Sequence, residues 1–261
     1  MSMNEIDRIR EEYHRRAQET PPEFYSRSKP ANLFSVQQRT RCCLRLLEKG
    51  GFFPLHDKRI LDVGCGVGGW LADLESWGAQ RANLAGIDLN DRFVPKARRR
   101  LSEQRDERGF VIAPGADIRL GDASHLLWPD SSFDIVLQST VFTSILDESM
   151  RRAVAEEMMR VLKPGGVIIW YDFLCNNPAN PHVRGVGKRE ITSLFHDCQV
   201  RLWRITLAPP IARRLVSWAW IAGLLLEKLR FLNTHYFGLI RKQQSAEQHV
   251  EAEASLGTMR V

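Results

Sequence analysis

The stretch Arg59-Ile-Leu-Asp-Val-Gly-Cys-Gly-Val-Gly-Gly-Trp70 decides the fold of this chain. An apolar strand carrying one acid, Asp62, runs into closely spaced glycines, and an apolar helix follows. Glycine at this place lets the backbone turn through positive φ and lets a ligand lie against bare main chain. Two spacings fit the same residues. Gly64, Gly66 and Gly69 satisfy G-x-G-x-x-G, the pattern of dinucleotide-binding folds. Asp62 with Gly64, Gly66 and Gly68 satisfies D-x-G-x-G-x-G. The loop alone leaves the cofactor open, so the choice falls to the residues around it.

Working outward, strand and helix patterns alternate from Lys58 onward, which argues for a parallel sheet covered by helices on both faces. Strands are predicted at 60–63, 84–88, 117–120, 133–137 and 167–171, with helices from about 68, over 92–104 and over 148–162. In such sheets ligands bind beyond the carboxyl ends of the strands. Asp88, at the second strand end and twenty positions after Gly68, can accept hydrogen bonds from both hydroxyls of a ribose. Gly121-Asp122-Ala123 puts a short acid after the third strand, within reach of an adenine amino group. Gln138-Ser139-Thr140 places small polar groups after the fourth, where a reacting group would lie. Taken singly, each is as well explained by a turn or a helix cap; jointly they describe an adenosine site.

Ile60-Leu-Asp-Val-Gly-Cys-Gly-Val-Gly68, Gly86-Ile-Asp-Leu89, Gly121-Asp-Ala123, Phe133-Asp-Ile-Val136 and Arg160-Val-Leu-Lys-Pro-Gly-Gly166 stand in order along residues 58–173. In this the chain resembles the class I S-adenosylmethionine-dependent methyltransferases, in particular their type 11 branch with the ubiquinone-biosynthesis-type enzymes. The resemblance implies an α/β, Rossmann-like seven-stranded sheet, parallel with one antiparallel strand, sandwiched by helices. Residues 200–207 and 235–240 would supply the closing hairpin. It implies S-adenosylmethionine as cofactor, with Asp62, Gly64, Cys65, Gly66 and Gly68 around the methionine, Asp88 and Leu89 at the ribose, Asp122 and Ala123 at the adenine, and Gln138 near the amino-acid end. The chemistry agrees: this cofactor has no pyrophosphate, and no Lys or Arg stands between Asp62 and Trp70. No metal is implied.

Many relatives carry a His-His or similar pair after the fourth strand; here Thr143-Ser144 holds that place, and neither hydroxyl is a competent base unaided. If the acceptor must lose a proton, the candidates are Asp172 or Tyr171 after strand five, His182 in the loop beyond, and His235. Thr143, Ser144, Asn176 and Arg184 are the candidate acceptor contacts, the last through a carboxylate or phosphate.

The flanks bound the rest. Residues 1–57 read as an N-terminal helical cap, 58–242 as the catalytic domain with an insertion over 209–233, and 243–261 as a flexible polar tail. Residues 4–18 are charged at helical spacing and read as a surface helix, followed by a helix over 35–48. The insertion holds an apolar run, Leu215–Leu226, with Trp218 and Trp220, flanked by Arg213, Arg214, Lys228 and Arg230. It reads as a lid or dimer contact ahead of a peripheral membrane contact through 211–232. The chain of 261 residues has a net charge of +6, and 176–242 hold eleven Lys/Arg against three acids. Nucleic-acid methylation is disfavoured, because no N-P-P-[YF] motif follows strand four and the basic residues are interleaved with apolar ones. Five irregularly spaced cysteines and no apolar signal core point to the cytoplasm. The leading expectation is a monomeric or homodimeric methyltransferase for a small-molecule acceptor, at oxygen. The alternatives are a lipid or lipid-linked saccharide acceptor at a membrane surface and a non-catalytic S-adenosylmethionine- or NAD-binding module.

Overall fold

The computed structural model describes residues 4–178 and 180–242; the tail expected over 243–261 lies outside them. Strands β1 (Ile60–Val63), β2 (Leu84–Asp88), β5 (Asp117–Leu120), β6 (Phe133–Ser139), β7 (Leu162–Phe173), β8 (Cys198–Leu207) and β9 (Asn233–Lys242) form a seven-stranded sheet in the order β5-β2-β1-β6-β7-β9-β8. Pairing is parallel from β5 through β7, and β9 runs antiparallel to both of its neighbours. This is the Rossmann-like sheet that the resemblance implied.

Alternation along the strands divides the core. Leu61, Val63, Val136 and Ile168 face one side, where they meet Val154, Met158 and Val161 of α5 (Glu148–Val161). Ile60, Ile135, Leu137 and Ile169 face the other, against α3 (Gly69–Ser76), α4 (Val94–Arg100) and, through Cys43 and Leu47, α2 (Pro30–Lys49). Helix α2 starts earlier than expected because Pro30 suits a first helical turn. Helix α4 is shorter than expected, and a small ribbon of β3 (Gln104–Arg105) and β4 (Val111–Ala113) follows it.

The insertion is not one helix. It folds as α7 (Pro209–Leu215), α8 (Trp220–Leu226) and a 3-10 turn over Arg230–Leu232, and a further helix, α6 (Lys188–Leu194), precedes β8. The sheet register locates the insertion. Phe173 and Ile205 both pair with His235, and Leu207 pairs with Asn233. The two ends of the insertion therefore lie at the carboxyl edge of the sheet, the edge that carries the glycine loop.

Candidate active site

Strand order reverses between β1 and β6, which leaves a crevice beyond their carboxyl ends. Gly64, Gly66 and Gly68 turn the loop at φ of 71°, 54° and 76°, conformations that suit glycine alone. At Gly64 an added Cβ would also lie 2.4 Å from Val141 Cγ2. The amides of Gly64 and Cys65 donate to the Ile87 carbonyl at 2.8 and 3.0 Å, pinning the loop onto β2. Asp88 accepts from the Gly66 and Asn90 amides at 2.7 and 2.8 Å, so one carboxylate ties two loops together and keeps lone pairs for a ligand. Burial pushes its pKa up.

A cavity of about 70 Å³ opens here, lined by Gly64, Asp88, Leu89, Asp122, Ala123 and Ser139 among others. A second hollow, of about 300 Å³, shares Tyr13 and Leu89 with it and is lined further by Asn90 and Leu120. The predicted glycine, ribose and adenine residues thus converge on one place. Thr140, also on the lining, holds φ +60°, a strained position for a β-branched residue.

On β1 and β6 the buried polar groups are incomplete. Asp62 is 1% exposed, and its Oδ1 has no partner. Burial, and then the Asp88 charge, hold its pKa well above the usual carboxylate range. Gln138 is fully buried; its Oε1 accepts from the Val141 amide at 3.2 Å, while Nε2 has no partner. The sequence reading missed Arg39 of α2. Its guanidinium lies 4.0 Å over the Trp70 ring, and its Nε is buried without a partner. Asp73, at 3.7 Å, is already bound by both terminal nitrogens of Arg27. Burial lowers the Arg39 pKa, and the cation in turn favours the charged form of Asp62. Arg39 stands outside every quoted motif, so periodicity could not flag it.

The expected base and acceptor residues are held differently. Asp172 is completely buried, accepts from both the hydroxyl and the amide of Thr143 and from the Phe173 amide, and burial pushes its pKa up to about 6. His235 stacks on Tyr171 at 4.7 Å and 6° and packs against Phe173. Burial, then the Arg39 charge, lowers its pKa to about 3, so it stays neutral at physiological pH. The Tyr171 hydroxyl is bonded to Thr206 at 2.9 Å. His182 is half exposed, 3.7 Å from Glu12. Arg184 pairs with Glu190 at 2.8 Å, and the Asn176 side chain accepts from the Gly185 amide at 2.9 Å. Of the four acceptor candidates, Ser144 lines the cavity, while Thr143, Asn176 and Arg184 brace the loops behind it.

Helix α1 (Glu5–Glu19), expected on the surface, lies over this cavity and contributes Ile9 and Tyr13 to its wall. Glu5 accepts from the Leu146 amide at 2.5 Å, and Arg8 donates to the Ser144 carbonyl at 2.6 Å.

Residues 61–170 match a family described as the methyltransferase domain. Over these 110 of its 261 residues the chain is similar to methyltransferase domains. It is 33% identical over 147 residues to phthiotriol/phenolphthiotriol dimycocerosates methyltransferase 1 of Mycobacterium ulcerans, covering 53% of this chain and 49% of that protein. It is 31% identical over 134 residues to a sterol 24-C-methyltransferase of Aspergillus fumigatus, covering 48% of this chain and 32% of that protein. The chain thus spans half or less of the length of these curated relatives. By fold it is similar to magnesium protoporphyrin IX methyltransferase of Synechocystis, solved with S-adenosylmethionine bound (TM-score 0.58, 15% identity, 92% of this chain and 99% of that one). It is also similar to the SpnF cyclase (TM-score 0.55, 20% identity, 80% and 83%). The site fits S-adenosylmethionine. An acceptor without a donor at Asp62 and a donor without an acceptor at Arg39 match an amino acid's ammonium and carboxylate.

Proposed function

We propose that this chain transfers a methyl group from S-adenosylmethionine to a small-molecule acceptor, at oxygen. The convergence of Gly64, Asp88, Asp122, Ala123 and Ser139 on one cavity at the switch point carries the reading. The cofactor, when bound, supplies an electrophilic methyl on a sulfonium, with a neutral thioether as leaving group. The chain's own task is then alignment and exclusion of water. Asp62 and Arg39 orient the amino-acid end, Asp88 the ribose, and Asp122 with Ala123 the adenine. Ile9, Val141, Ile145 and Met150 form an apolar wall that keeps the site dry, while Ser139, Thr140 and Ser144 offer hydroxyls to an oxygenated acceptor.

The acceptor class follows from the missing base. His235 is neutral but packed between rings, and the oxygens of Asp172 are engaged by Thr143 and Phe173. A site without a free base suits a hydroxyl that ionises near working pH, a phenol or an enol. Calorimetry with S-adenosylhomocysteine against NAD tests the cofactor: binding of the former alone is expected, and tight NAD binding sinks the reading. Labelled-methyl transfer to matched phenols, aliphatic alcohols and amines tests the acceptor, with phenols expected to lead. A second reading, a lipid acceptor, draws on the apolar cavity wall and on relatives whose names give sterols and phthiotriol dimycocerosates as substrates.

A further inference from the structure

Helix α8 is apolar on all sides, yet the fold buries only one of them. Trp220 meets Phe34 of α2 edge-on at 5.2 Å. A Cβ at Gly223 would lie 3.1 Å from Val216 and 3.2 Å from Phe34, so the inner face is closely packed. The outer face of the helix carries Ile221 and Leu225 four residues apart, while Trp218 precedes it across the non-helical Ala219 and Leu229 follows its end. Their exposures are 74%, 59%, 91% and 43%, and Phe231 on the next turn is 74% exposed. Five large exposed apolar side chains within residues 218–231 differ from single apolar residues scattered on a surface.

Charge says what covers it. Arg214 before the row and Lys228 and Arg230 after it are exposed. The acid of this segment, Glu227, turns back to Arg41 at 3.0 Å and so does not oppose them. Apolar side chains in a row, tryptophan at one end and cations at both, are what a phosphate-bearing bilayer surface accepts. Among the described residues no helix is long and apolar enough to cross a membrane, so the fit is to its surface. The insertion also begins and ends at the carboxyl edge of the sheet.

We propose that the outer face of residues 218–231 docks on an anionic phospholipid bilayer and holds the carboxyl edge of the sheet toward it. This goes beyond methyl transfer and does not depend on it.

The test floats the full chain with vesicles of phosphatidylcholine alone, or of phosphatidylcholine and phosphatidylglycerol in equal parts. Flotation with the mixed vesicles, weakened by salt and absent with phosphatidylcholine, is expected. Trp218→Ser with Ile221→Ser and Leu225→Ser leaves the inner face intact and is expected to lower vesicle binding by on the order of tenfold or more. Arg214→Glu with Arg230→Glu is expected to abolish the preference for the mixed vesicles. Both variants should keep the parent's melting temperature and S-adenosylhomocysteine affinity, which reads the cofactor site separately. A parent that does not float overturns the proposal, as does a serine variant that floats equally well. A parent that is dimeric only while the row is intact, and ignores vesicles, assigns the face to a second copy and overturns it too.

Discussion

Around β2, β1 and β6 the polar groups at the carboxyl edge have capacity to spare. Asp62 Oδ1, Gln138 Nε2 and Arg39 Nε lack partners, and Asp88 holds two amides with lone pairs left. Around β7, β9 and β8 the ionisable side chains are bound to neighbours, although Trp170 Nε1, Arg184 Nε and Asn233 Oδ1 are buried without partners. Thr143 and the Phe173 amide occupy Asp172, Glu190 occupies Arg184, Thr206 occupies Tyr171, and aromatic rings enclose His235. An unpartnered buried group costs stability unless something arrives to satisfy it, and on the first side those groups include Asp62 and Arg39, the acid and the arginine proposed to hold the amino-acid end of the cofactor. Asp172 and His235, expected as candidate bases, are held by hydrogen bonds and aromatic rings.

The comparison can be broken by substitution. The largest effect is expected at Asp88→Ala, which removes a charged acceptor and frees the Gly66 and Asn90 amides. S-adenosylhomocysteine affinity should fall on the order of 100-fold; calorimetry showing less than about a threefold loss would mean the carboxylate serves the loop alone. Next comes Arg39→Met, expected to cost about tenfold in S-adenosylhomocysteine affinity and nothing for 5′-methylthioadenosine, which lacks the amino acid. Equal losses for both ligands would make Arg39 a packing residue.

On the other side the effects should be on stability. Asp172→Asn should cost about 1–3 kcal/mol by urea unfolding, since the amide cannot accept every bond the carboxylate does. The carboxyl is raised from 3.8 to about 6 in the folded chain, so the stability it lends is full below pH 3.8 and lost as pH rises through 6. The variant should flatten that segment of the profile. His235→Phe acts in the opposite direction. The imidazole is lowered from 6.5 to about 3, so its stability is full above pH 6.5 and lost as pH falls through 3. The substitution should therefore make the chain less sensitive to acid, and an unchanged acid limb would contradict a buried neutral His235. The smallest effect is expected at His182→Ala, within about 0.5 kcal/mol in stability because the ring is half exposed. A large loss of methyl transfer there would return His182 to the chemistry.

Legibility in the sequence followed the same division. The glycine loop, Asp88 and Asp122 could be read because each sits at a fixed offset from a strand end, and strand ends show in local composition. Arg39 was not legible because it reaches the site across α2, more than twenty residues before the loop. Helix α1 reads as a surface helix because its apolar stripe is only Ile6, Ile9 and Tyr13 among charged residues, and Glu5 and Arg8 supply the polar anchors. Residues 215–226 show their apolar character plainly, but not that the structure would pack Trp220 inward and leave Trp218 outside.

The sequence by itself determined a parallel sheet covered by helices, the glycine turn at Gly64–Gly68 and acids at the strand ends, and the Rossmann-like seven-stranded form came with the family resemblance. The first three are local consequences of hydrophobic period and glycine geometry. Only the tertiary structure decided which ionisable groups remain open for ligands. A side chain's charge state and free lone pairs depend on its neighbours in space, and for Asp62, Arg39, Asp172 and His235 those neighbours come from distant segments.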